Sequence, residues 1–293
     1  MRERIPRFPP GSGAFVMGTG IVSVALAVDG AETLSRALLA VAAAGWVALA
    51  ATGIVHRYDV SFTAVAGTAV LGARAALLGW GRAAAAMLVV ALTLWVVRAA
   101  RSLSTVPRRA AGAAFLVVVA TEALAVLAAF VAADDHAAWL AAAALAPFAL
   151  GLAAYLHVVA RFDLHELVDG RGDQWVAGGA LAIATLACAK LAAVGEATAV
   201  LKPAALVLWS SASAWLPFLV AGELRRPFRG YDVRRWATVF PVGMYAVCSF
   251  LVASVDHVAA IGSLARAWTW LAVAVWGATL TAAVARTVGV YDP

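Results

Sequence analysis

Hydrophobic stretches of roughly 20 residues follow one another along this chain from Gly13 to Val288, separated by short segments that hold almost all of its charge. Each stretch can cross a hydrocarbon core of about 30 Å at ~1.5 Å per residue. The pattern predicts ten spans, at 13–29, 34–55, 61–79, 82–100, 110–132, 137–159, 174–194, 202–221, 234–254 and 265–287. A helix satisfies its own backbone hydrogen bonds in lipid, whereas a barrel strand would need about 10 residues of alternating character. The spans therefore read as helices, within a single transmembrane domain over 1–293.

The odd-numbered spans differ from the even ones. Span 1 carries Gly18, Thr19 and Gly20, span 3 Gly67, Thr68 and Gly72, span 5 Thr121 and Glu122, span 7 Gly178, Gly179 and Thr185, and span 9 Pro241 and Gly243. Spans 2, 4 and 6 are plainer runs of Ala, Leu and Val. Small and weakly polar residues suit helices that pack closely or line water, while Leu and Val suit lipid. Short connections make neighbouring spans antiparallel. The expected architecture is an all-α membrane protein of five antiparallel hairpins around a central pore, with the odd helices inside.

Composition agrees with this reading. The hydrophobic fraction is 64 % and the charged fraction 13 %, against about 45–50 % and 25 % in a soluble domain. No polar segment is long enough to form a separate soluble domain. The net charge is +6, but the basic residues lie in short loops, which points to topology and anionic lipid, not to nucleic acid. Sixteen of the 22 Lys and Arg residues fall on the side of the two termini and five on the other, with Arg74 inside a span. By the positive-inside rule both termini are expected in the cytoplasm, and the protein in the inner (plasma) membrane. Trp80, Trp139, Trp175, Trp209 and Trp268 stand near span ends, as interfacial anchors do. Cys188 and Cys248 fall inside spans and read as small buried residues.

No catalytic constellation is evident: there is no His-Glu-x-x-His, no phosphate-cradling Gly-x-x-x-x-Gly-Lys, and no Gly-x-Ser-x-Gly. The five histidines lack metal-ligand spacing, so neither metal nor cofactor is expected, and the chain does not read as an enzyme. Charged residues within spans carry more meaning, since each costs about 2.5–3.5 kcal/mol at a helix centre and normally faces protein or water. Arg74 stands about thirteen residues into span 3, Glu122 about twelve into span 5, and Lys190 in the last third of span 7. Two readings stay open. Arg74 and Glu122 form a structural pair while Lys190 snorkels to the surface, or at least one of the three borders a permeation path.

Phe15-Val16-Met17-Gly18-Thr19-Gly20, Ala66-Gly67-Thr68, Leu71-Gly72-Ala73-Arg74, Val119-Ala120-Thr121-Glu122, Ala180 to Leu186, and Trp236-Ala237-Thr238-Val239-Phe240-Pro241-Val242-Gly243-Met244-Tyr245 resemble the tellurite-resistance/dicarboxylate transporter family. That family includes slow anion channels and malate and sulfite transporters. The resemblance implies a homotrimer in membrane lipid, each protomer with its own pore, lined by the five odd helices and occluded by a phenylalanine of span 9. It also implies small anions, dicarboxylate or inorganic, as the transported species. On that basis Phe240 and Pro241 form the gate, and Gly18, Thr19, Gly67, Arg74, Glu122, Gly178, Thr185, Lys190 and Gly243 are expected along the path. The alternative within transport is a proton-coupled exporter of sulfite, tellurite or other toxic compounds. A membrane scaffold or enzyme fits less well, given the polar, kinked odd spans and the missing catalytic motifs.

Overall fold

The computed structural model describes residues 12–56, 61–102, 107–195, 197–225 and 231–287. Arg2, Arg4, Arg7, Arg57, Arg226 and Arg229, which weigh in the orientation argument, lie outside the described residues. The described chain is helical: α1 (Gly13–Val28), α2 (Glu32–His56), α3 (Phe62–Leu77), α4 (Gly81–Ser102), α5 (Leu116–Asp134), α6 (Ala138–Val159), the short α7 (Glu166–Asp169), α8 (Val176–Ala193), α9 (Thr198–Ala214), α10 (Leu216–Arg225), α11 (Trp236–Asp256) and α12 (Ala259–Thr287). Single 3-10 turns, Gly112–Phe115, Asp173–Trp175 and Val233–Arg235, lead into α5, α8 and α11. Among the described residues, eight helical segments are long and apolar enough to cross a membrane, and α1 and α3 are shorter apolar helices.

The helices α1, α3, α5, α8 and α11 close into a ring, each packed on the next and α11 back on α1. Outside them lie α2, α4, α6, α9 and α12, each against the ring helix that precedes it in the chain. Burial separates the two layers. In their most apolar stretches α5, α8 and α11 are 78–89 % buried, against 17–28 % for the outer helices.

Among the described residues, the ends of α1, α3, α5 and α11 share one device. The amides of Ala31, Trp80, Ala137 and Val258 each donate to the carbonyl five residues earlier, at 2.8–3.1 Å. This reversal needs a left-handed residue just past the helix end. Gly30 and Gly79 supply it without steric cost at φ of 90° and 75°, while His136 and His257 adopt it at 50° and 58°. The tight turns reverse the chain at one end of the bundle, the distal face. The opposite face, where α1 begins, is the terminal face.

Inner helices approach through small residues. A Cβ on Gly243 of α11 would stand 2.7 Å from Ile21 Cγ2 of α1, and one on Gly179 of α8 would stand 2.7 Å from the Pro241 ring. In lipid such close packing replaces the hydrophobic drive as the source of helix association. A set of indole hydrogen bonds joins the two layers. Trp46 of α2 donates to Thr68 of α3 (2.8 Å), Trp95 of α4 to Thr121 of α5 (2.9 Å), Trp209 of α9 to Ser249 of α11 (2.8 Å) and Trp276 of α12 to Thr19 of α1 (3.0 Å). Of the tryptophans expected as interfacial anchors, Trp80 and Trp139 are exposed. Trp209 instead bonds inward, Trp175 lies buried, and Trp268 stacks on Tyr245.

Two expected spans take a different form. The eighth is broken at Trp215, between α9 and α10. Pro217 has no N–H to continue the ladder, the Trp215 amide bonds three residues back to Ala212, and the Tyr245 hydroxyl donates to the same carbonyl at 2.6 Å. The tenth begins at Ala259, six residues before the expected start. Arg266 lies within it because its side chain is exposed and reaches Asp29 at 3.9 Å, so the charge does not interrupt the helix.

Candidate functional site

On the axis of the ring is a small cavity lined by Ile21 and Val24 of α1, Ala69, Val70 and Ala73 of α3, Ala123, Val126 and Phe130 of α5, Ile183 and Leu186 of α8, and Met244 of α11. All five ring helices contribute, and every lining side chain is apolar. About 20 Å³ is open to the centre of a water-sized sphere, room for roughly one water. An apolar space of that size has no partner for a water and stays dry.

Phe240 is fully buried one helical turn from Met244, toward the terminal face. Residues four apart on a helix share a face, so Phe240 lies on the cavity-facing side of α11, below the cavity. Trp236 is one turn further along the same face and meets Phe15 edge-to-face, with ring centroids 4.8 Å apart. Pro241 leaves the Ala237 carbonyl without its helical donor, and its ring lodges against Gly179. An aromatic side chain thus stands beneath the cavity, on a helix weakened at the next residue.

The remaining sequence candidates divide by location. Gly18 faces Trp236 and Val239, Gly67 faces Val16 and Met17, and Gly243 faces Ile21, so these three sit at contacts between ring helices. Gly178 faces Tyr245 and Trp215. Thr19 accepts the Trp276 indole, and the Thr185 hydroxyl donates to Leu181 of its own helix. Arg74 is 1 % exposed and reaches across to α2, where it donates to both Glu32 oxygens at 2.7 Å and to Ser35 at 2.9 Å. Ser35 is in turn joined to Ser23 of α1, so Arg74 anchors three helices at the distal end. Glu122 is fully buried and faces Gly151 of α6, where a Cβ would collide with its carboxyl group. Neither of its oxygens has a hydrogen-bond partner among the described residues. Lys190 is on the cavity side: it follows Ile183 by seven residues and Leu186 by four, and its ammonium lies 4.2 Å from the centroid of the Phe130 ring.

At the terminal face a belt of polar contacts holds the connections. Asp232 caps the Arg234 amide and pairs with its guanidinium at 2.8 Å, with Arg171 at 3.8 Å. Arg235 pairs with Glu223 at 2.6 Å, and Thr238 donates to the Gly172 carbonyl at 3.2 Å. The side-chain hydrogen bond from Arg234 holds the Asp232 carboxyl below its ordinary range, and that from His165 does the same for Asp163. Burial pushes Glu166 the other way, helped by the charges of Asp173 and Asp163.

Glu32 and the inward-bonding indoles of Trp46, Trp95 and Trp276 escaped the sequence reading, and Trp209 was expected as an interfacial anchor. The signal for Glu32 was its depth: it opens α2 at the distal face, level with the end of α3 that carries Arg74.

The model of the SLAC1 family, described as voltage-dependent anion channel, matches residues 7–284. The chain belongs to the SLAC1 family. Uncharacterized membrane proteins from two strains of Mycobacterium tuberculosis are each 34 % identical to it over 139 residues, covering 43 % of this chain and 70 % of the relative. In this SLAC1-family member the match spans all five ring helices, so the axial cavity and Phe240 both lie within it.

Proposed function

We propose that this protein conducts small anions across the membrane along the axis of the five-helix ring, with Phe240 as the gate. One observation carries the reading: in a SLAC1-family chain, all five ring helices line a small apolar cavity, and a fully buried phenylalanine lies one helical turn below it on α11. An aromatic ring across an apolar constriction stops ions both by its bulk and by excluding the water they need. Pro241 supplies the give, because the ladder is already open at Ala237. In this reading ten helices cross the bilayer, the ring helices run from cytoplasm outward, and the protomer assembles as a homotrimer in the plasma membrane. Dicarboxylates and inorganic anions are the substrate classes. The experiment is anion flux through Phe240→Ala in liposomes; a folded variant with no gain in flux refutes the gate.

Glu122 favours a second reading, proton-coupled export. A carboxyl group sealed between α5 and α6 without a partner is costly as an anion and is suited to exchanging a proton when the helices move. Glu122→Gln keeps the shape and removes the titration. Loss of the pH response with flux retained supports coupling, and an unchanged pH response rules it out.

A further inference from the structure

Lys190 is the charged side chain that the described residues bring to the distal rim of the axial cavity, and its position differs from that of an ordinary snorkelling lysine. It lies in the last turn of α8, where a cation complements the free carbonyls. Its ammonium, however, is folded back over the face of Phe130, 4.2 Å from the ring centroid, and Phe130 is itself a lining residue of the cavity. The register places Lys190 one turn beyond Leu186 and two beyond Ile183, both lining residues. No carboxylate pairs with it among the described residues, in contrast to Arg74, which is committed to Glu32.

We infer that Lys190 is the recognition group of a small-anion site at the distal mouth of the cavity, with the Phe130 ring as its resident competitor. The electron-rich ring face holds the ammonium weakly, so an arriving anion outbids it without displacing a committed counter-ion. The cavity below offers an anion no polar partner, which makes the rim the place where an anion is held before the dry segment. Once the ammonium turns to the anion, Phe130 loses the contact that steadies it against the cavity wall. The inference rests on the anion-conduction reading for its purpose, though not for its chemistry.

The test uses the full-length protein in nanodiscs and chloride as probe, read by 35Cl line broadening against empty nanodiscs, with nitrate as competitor. Wild type is expected to broaden the line and nitrate to relieve it. Lys190→Gln should weaken chloride binding at least tenfold, and Lys190→Arg should retain it. Phe130→Leu should tighten binding about two- to fivefold, since it removes the competing ring; a lysine serving only the helix end would show no such gain. Equal broadening by wild type and Lys190→Gln, or by wild type and empty nanodiscs, overturns the site. If Lys190→Gln fails to fold, Phe130→Leu decides, because unchanged affinity there overturns the inference. Wild type that binds chloride yet carries no flux removes the conduction reading and leaves this site standing. Flux without Lys190-dependent binding does the reverse.

Discussion

Replacing Phe240 by alanine sets two effects against each other, and their sizes make the outcome readable. The side chain is fully buried in a core of apolar neighbours, so truncation costs about 3–5 kcal/mol of stability through lost transfer energy and the void left behind. The void is on the order of 100–150 Å³, the scale of a single large-to-small core truncation, and water occupies roughly 30 Å³ per molecule. The space above it admits about 20 Å³ of water centres. Joined, the two leave a gap wide enough for an ion to bring part of its own hydration shell with it. Every ~1.4 kcal/mol taken off the barrier raises the rate tenfold, and an ion that keeps even part of its hydration saves several kcal/mol. Phe240→Ala should therefore raise nitrate and chloride flux at least tenfold. Phe240→Leu retains most of the bulk and should remain nearly closed. The assay is flux from proteoliposomes under an imposed potential, with tryptophan-fluorescence melting as the control for folding. A Phe240→Ala protein that melts cooperatively, at a lower temperature than wild type, yet conducts no better refutes the gate. Equal gains in the alanine and leucine variants would also refute it, because they would point to general loosening.

The Arg74–Glu32 pair should respond unequally to its two deletions. Arg74 is 1 % exposed and Glu32 40 %, so Glu32→Gln removes the counter-charge of a buried cation and should cost more stability than Arg74→Met, which leaves a carboxylate that water can reach; equal costs in chemical unfolding would contradict this geometry. The terminal-face belt should loosen in acid. Because Asp232 has a depressed folded-state pKa, its contribution is complete above the unfolded value and is lost as pH falls through the folded one, so protease cleavage near Asp232 should rise below the ordinary aspartate range in wild type and be pH-independent there in Asp232→Asn. Glu122→Gln should fold at least as well as wild type, because it replaces an unpartnered buried acid with an uncharged near-isostere; a strongly destabilised variant would mean that the carboxyl has a partner it needs.

Period and composition place the helices, because 20 apolar residues in a row have one stable backbone state in lipid. Helix ends fell within a few residues of the expected spans wherever a glycine turn followed, as after α1 and α3. The bias of Gly and Thr toward the odd spans also pointed to the helices that form the ring. What the sequence could not supply is the rotation of each helix about its own axis. A helix that is apolar all round has no polar face to mark its outside, so Glu122, Thr19 and Lys190 look alike on paper as polar residues at depth. Packing alone turns Glu122 onto Gly151 of α6, Thr19 onto Trp276 of α12 and Lys190 over Phe130 at the cavity rim. It also gives Arg74 the carboxylate of Glu32, 42 residues away, and so overturns the Arg74–Glu122 pair that depth alone suggested. The difference is physical: insertion into lipid is decided residue by residue along the chain, whereas a pore is decided by which sides of five helices meet.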